Sequence, residues 1–144
     1  MASKIEANDF VLPEQGELVS LPTIEAICLH YDLPDLWQKI SADPPPRVFK
    51  SDGCTKWFND WRGKSLYSAC FLHDLKYWSG YPDESVARLR ADAELMMDVA
   101  EILDQTVMAE TMFRGVRIGG SEKFKAPFSW GFGRFKKGGS SNLQ

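Results

Sequence analysis

Two helical patterns, separated by a turn that neither can cross, constrain this chain more than any other feature. Over residues 64–79, ring-bearing and apolar positions recur as Leu66, Cys70, His73 and Tyr77, beside a second stripe of Tyr67, Phe71, Asp74 and Trp78. Steps of three and four put each stripe on one helix face. Gly80 then offers a left-handed cap, and Pro82 forbids continuation. Asp83 and Glu84 follow, where a helix N-terminus favours negative charge. From there Val86, Leu89, Ala93, Met96, Ala100, Leu103 and Val107 keep the same alternation. It predicts a second helix over about 83–112, with this stripe as core. So short a turn folds the two helices back on each other as an antiparallel pair.

The remainder is less periodic. Residues 23–31, after Pro22, and residues 34–40 read as short helices, and the run Asp43-Pro44-Pro45-Pro46 ends the second. Residues 47–63 have the composition of a loop, with Ser51, Asp52, Gly53, Asn59, Asp60 and Gly63. Residues 114–120 are too glycine-rich for helix, and the aromatic stretch 124–135 reads as a hairpin or ordered loop. Residues 138–144 read as a flexible tail. The expected fold class is therefore mainly α. An antiparallel helix pair at about 64–79 and 83–112 is joined by an irregular N-terminal region and a small β or loop element near the C-terminus. A single domain is expected over 1–137, with its core at about 51–112.

Composition excludes several classes. At 144 residues, 44% hydrophobic and 26% charged, the chain is neither disordered nor a disulfide miniprotein. No apolar run is long enough to span a bilayer, and the first residues carry no secretory signal. The expected location is cytoplasmic or virion-delivered, with the three cysteines as free thiols. The net charge of −3 is unevenly spread: residues 1–46 carry eight acids and two bases, whereas 113–144 carry seven bases and only Glu122. That basic, aromatic end suits an anionic surface, or the acidic third of its own chain. A pI near 5.4 makes nucleic acid an unlikely partner.

Chemistry concentrates on one helix. His73 and Asp74 are adjacent, so their side chains diverge by about 100° and serve different partners. The imidazole suits general-base work near neutral pH, and the carboxylate suits a hard cation such as calcium. A base works better when a third group orients it. In an antiparallel pair turning near Tyr81, Asp92 lies within about 4–5 Å of the height of His73, whereas Asp98 lies well beyond it. Zinc is disfavoured, because there is no Cys-x-x-Cys and the only other histidine is His30. No phosphate-cradling glycine loop and no nucleophile elbow are present.

Cys-x-x-His-Asp-x-x-Tyr, at Cys70, His73, Asp74 and Tyr77, resembles the active-site helix of the phospholipase A2 superfamily. The compact, cysteine-poor bacterial or viral members are the nearest type. Cys54 stands sixteen residues before Cys70, as in the calcium loop of the secreted members, and Ala91-Asp92 resembles the pair that viral members carry on the following helix. The resemblance covers about 51–97. It implies His73 as the base, Asp92 as its orienting carboxylate, and Asp74 with the carbonyls of Gly53, Thr55 and Trp57 around calcium. Thr55 and Trp57 stand where secreted members usually have glycines. Tyr77 and Trp130 are the candidate substrate contacts, Trp130 at the lipid boundary and Tyr77 alternatively a hydrogen-bond partner of Asp92 or a core residue, and a phospholipid or membrane surface is the implied partner. Cys54 and Cys70 would form a disulfide outside the cell and remain free thiols within it, and the missing signal favours free thiols. The alternative is a non-catalytic binding or structural module on the same scaffold, with a protein or virion partner.

Overall fold

The computed structural model describes residues 10–54, 59–121 and 129–135. It is mainly α, built on five helices. Ser20 caps α1 (Leu21–His30) through its hydroxyl, and α2 (Pro34–Ala42) starts on a proline whose missing N–H costs nothing at that position. Before and after them, β1 (Leu18–Val19) pairs antiparallel with β2 (Phe49–Lys50), in the register Val19 to Phe49. A second antiparallel pair joins β3 (Asp60–Trp61) to β4 (Lys64–Ser65). The site is carried by α3 (Tyr67–Trp78) and α4 (Ser85–Leu103), and α5 (Val107–Gly119) packs against α4. A short 3-10 turn, Phe132–Arg134, packs near α3.

The side-chain pairs His73–Asp92 and Tyr77–Arg88 run in opposite directions along α3 and α4, so the expected antiparallel hairpin is present. One core unites Ile24 and Ile27, Ile40, Phe49, the apolar face of α3, then Leu95, Val99, Ile102, Ala109 and Met112. A smaller cluster of Tyr77, Ala91 and Trp130 sits behind the site.

Three expectations are corrected. The stretch 83–112 is two helices, because Asp104 closes α4 in the left-handed region at φ +54°, a conformation that aspartate tolerates better than most residues. Residues 114–120 are helical as far as Gly119. The burial of Ala109 and Met112, with Val116 packed behind them, outweighs the low helix propensity of the glycines. The stripe read on α4 is only the flank of its core face: Val86 is 70% exposed and Leu89 46%, Met96, Ala100 and Leu103 are partly buried against the core, and Ala91, Asp92, Leu95, Val99 and Ile102 form its buried centre. The two stripes lie side by side on the helix, and the pattern of threes and fours does not reveal which one sits at the centre of the buried face. Of the two forms expected near the C-terminus, β or loop, the described residues 129–135 take the loop form, as turns, and the described strands lie toward the N-terminus. Part of the aromatic stretch and the tail at 138–144 lie outside the described residues.

The cysteines correct a fourth. Cys54 and Cys70 form a disulfide, and Cys28 is a buried free thiol. Their Cα atoms lie 5.1 Å apart, within the span a disulfide needs. Composition and the first residues could not anticipate this, because the proximity of the two sulfurs is set by the loop folding onto α3. Among the described residues no helix is long and apolar enough to cross a membrane.

Candidate active site

Helix α3 presents His73 and Tyr77 one turn apart, and both reach across to Asp92 on α4. His73 Nε2 lies 2.8 Å from Asp92 Oδ1, and the Tyr77 hydroxyl donates to the same oxygen at 2.6 Å. Asp92 is fully buried. Burial alone would push its carboxyl up, but hydrogen bonds from His73, Tyr77 and Arg117 outweigh that and hold it below the usual carboxylate range. Burial also lowers His73 below its ordinary value, against the pull of Asp92. An ionised Asp92 facing a neutral imidazole assigns the ring proton to Nε2, so Nδ1 keeps its lone pair. This is the tautomer a general base requires.

Asp74 points to a different neighbour. Its Oδ2 accepts from the Ser51 hydroxyl at 3.1 Å and from the Asp52 amide at 3.0 Å. The Gly53 amide in turn donates to Ser51 Oγ, so residues 51–53 wrap this carboxylate. Gly53 holds φ +64°, and a Cβ there would press on the side chains of Gln15 and Asn59. Those two are bonded to each other, and Asn59 also accepts from the Cys54 amide. The Gly16 amide donates to the Ser51 carbonyl, and the Tyr67 hydroxyl to the Pro13 carbonyl. The N-terminal segment thus braces the loop from outside, while the Cys54–Cys70 disulfide ties it to α3 one turn before His73.

The donor set suits a hard cation. Burial drives the Asp74 carboxyl well above its ordinary value, and among the described residues no basic side chain pairs with it. No cluster of three or more His, Cys, Asp or Glu side chains occurs among the described residues. A cation beside Asp74 would therefore depend on backbone carbonyls, which calcium accepts. Gly53 belongs to the loop that wraps Asp74, whereas Thr55 and Trp57 lie outside the described residues.

Sequence reading brought His73, Asp74, Asp92 and Gly53 to one region, and the structure keeps them together. It does not keep Trp130 as a substrate contact, and of the alternatives for Tyr77 it has the bond to Asp92. Tyr77 is buried with its hydroxyl committed to Asp92. Trp130 is 2% exposed, stands edge-on to Tyr77 at 5.1 Å, and donates its indole N–H to the Tyr81 carbonyl. Gly80 makes room for its ring. The expected place of Trp130 at a lipid boundary is corrected: it is a wedge behind the site.

Three residues escaped the sequence reading. Ser51 was only loop composition. Arg88, four residues before Asp92 on α4, lies 3.9 Å from Asp92 Oδ2 and donates to the Tyr77 hydroxyl at 3.0 Å. Its spacing from Asp92 was a legible signal. Arg117 Nη1 reaches Asp92 Oδ2 at 2.7 Å, and nothing local announced it, because its segment was not read as helix. No family model, curated protein or solved structure matches this chain.

Proposed function

We propose that this chain is a calcium-dependent hydrolase of lipid esters, with phospholipids as the substrate class. The observation that carries the reading is the buried Tyr77–Asp92–His73 network, set one residue from a carboxylate wrapped by a loop. His73 Nδ1 takes a proton from water, which attacks the ester carbonyl. Asp92 holds the ring in that tautomer and balances the imidazolium that forms. The same nitrogen then returns the proton to the departing alcohol. Asp74, with the carbonyls of Gly53, Thr55 and Trp57, would hold calcium. A cation there supplies charge to stabilise the oxyanion of the tetrahedral intermediate. The substrate class comes from the superfamily resemblance at Cys70, His73, Asp74 and Tyr77.

The decisive experiment is fatty-acid release from mixed phospholipid vesicles with and without calcium, comparing wild type with His73→Ala and Asp74→Ala. Release that needs calcium and disappears in both folded variants supports the reading. A folded wild type that releases nothing across lipid classes and calcium levels removes it. The second reading, a non-catalytic module, draws on one observation: His73 is only 8% exposed and Asp74 9%. A folded but inactive wild type, with unchanged partner binding in the same two variants, would favour that module.

A further inference from the structure

Asp92 has two carboxylate oxygens with different duties. Oδ1 accepts from His73 and Tyr77, both on α3, while Oδ2 faces Arg117 on α5 at 2.7 Å. Arg88, on the same helix, lies within ion-pair distance of Oδ2 and supplies countercharge, but its N–H groups donate elsewhere. Its Nε donates to the Tyr77 hydroxyl, and its Nη2 donates to the carbonyls of Val116 and Arg117 at 2.8 and 2.7 Å, leaving Nε 3.9 Å from Oδ2. Arg88 therefore fastens the last turn of α5 to α4, and that turn delivers Arg117. Gly120 completes the approach, since a Cβ there would collide with the Tyr77 hydroxyl.

We propose that Arg117 is a positioning residue for the His73–Asp92 pair, fixing the plane of the Asp92 carboxylate from α5 so that Oδ1 stays aimed at His73. A terminal carboxylate torsion is broad and nearly two-fold, so partners on one oxygen alone leave it free to rock. A guanidinium on the other oxygen removes that freedom, and its planar fork suits the task better than an ammonium does. The Arg117 side chain is 32% exposed, so its replacement leaves no sealed cavity, whereas Asp92 is 0% exposed and depends on its partners. The site is on this account a three-helix construction. The inference rests on the hydrolase reading for its kinetic consequence, and on geometry alone for its structural one.

The test compares wild type, Arg117→Gln and Arg117→Lys by two readouts. One is the ¹⁵N spectrum of the His73 ring, which reports its tautomer without any substrate. The other is vesicle hydrolysis resolved into kcat and KM. Arg117→Gln is expected to broaden or split the single-tautomer ring signals and to lower kcat about tenfold with KM little changed. Arg117→Lys, which keeps the charge without the fork, is expected to fall between. Wild-type ring signals in Arg117→Gln overturn the proposal, whatever the activity. Should that variant not fold, Arg117→Lys decides: wild-type ring signals and kcat in it overturn the proposal. If wild type hydrolyses no ester, the hydrolase reading falls, and the ring spectrum still decides the role of Arg117.

Discussion

Tyr77 and His73 meet on one oxygen of Asp92, at 2.6 and 2.8 Å, one helical turn apart on the same face of α3. That convergence makes a single carboxylate the junction between the stability of the hairpin and its chemistry.

Removing the phenol should therefore be felt twice. Tyr77→Phe keeps the ring against Trp130 but strips one donor from Asp92 and one acceptor from Arg88. A hydrogen bond to a buried charge is worth about 1.5–3 kcal/mol. Urea denaturation should show a loss of that order, with hydrolysis reduced less than in His73→Ala. An unchanged midpoint would mean that Asp92 does not depend on Tyr77.

Two neighbouring glycines should respond in opposite directions. A Cβ on Gly120 would meet the Tyr77 hydroxyl and the Val116 carbonyl, whereas one on Gly119, at the end of α5, meets nothing within 4 Å. Gly120→Ala is expected to cost about 1–3 kcal/mol by overpacking. Gly119→Ala should be neutral or gain up to about 0.5 kcal/mol by restricting the unfolded chain. Paired thermal melts check both signs.

The disulfide predicts a thiol count. Denatured without reductant, the protein should expose one reactive thiol, Cys28, and reduction should add two more. In the native state Cys28 should label slowly, because it is buried and its thiol is pushed up to about 11. Breaking the sixteen-residue link with Cys54→Ser and Cys70→Ser together should cost about 3 kcal/mol. Three reactive thiols without reductant would contradict the bridge.

Calcium should stabilise the fold in a pH-dependent way. Burial raises the folded-state pKa of Asp74 above its unfolded value, so the folded chain binds this proton more tightly. Without metal, the advantage of the protonated carboxyl is present below the unfolded pKa and fades as pH rises through the folded one. A cation that satisfies the ionised form reverses the cost. The Tm gain from calcium over chelator should thus grow with pH across that window and vanish in acid. Asp74→Asn should abolish it. His73 acts with the opposite sign: its folded pKa is lowered, so its neutral form favours folding above the unfolded pKa of about 6.5 and loses that contribution in acid. Comparing chelator melts of His73→Ala and wild type across pH separates the two groups.

Much of the site was readable before any coordinates. The spacing Cys70, His73, Asp74, Tyr77 assigns side chains to two faces of one helix, and the Gly80–Pro82 turn brings Asp92 level with His73. These are consequences of helical geometry and of what glycine and proline do to a backbone, and both are local. What local pattern could not decide was which of two adjacent apolar stripes on α4 sits at the centre of the buried face, because the choice depends on what packs there. The same limit hid α5, whose glycines oppose helix until Ala109 and Met112 are buried, and with it Arg117, whose partner lies twenty-five positions away. Trp130 read as a surface aromatic until the space above Gly80 enclosed it. Redox state likewise followed from the folding of residues 51–54 onto α3, which placed two sulfurs within bonding distance. Short-range periodicity settled the hairpin and which side chains meet across it, and the burial of distant segments settled how those side chains are held.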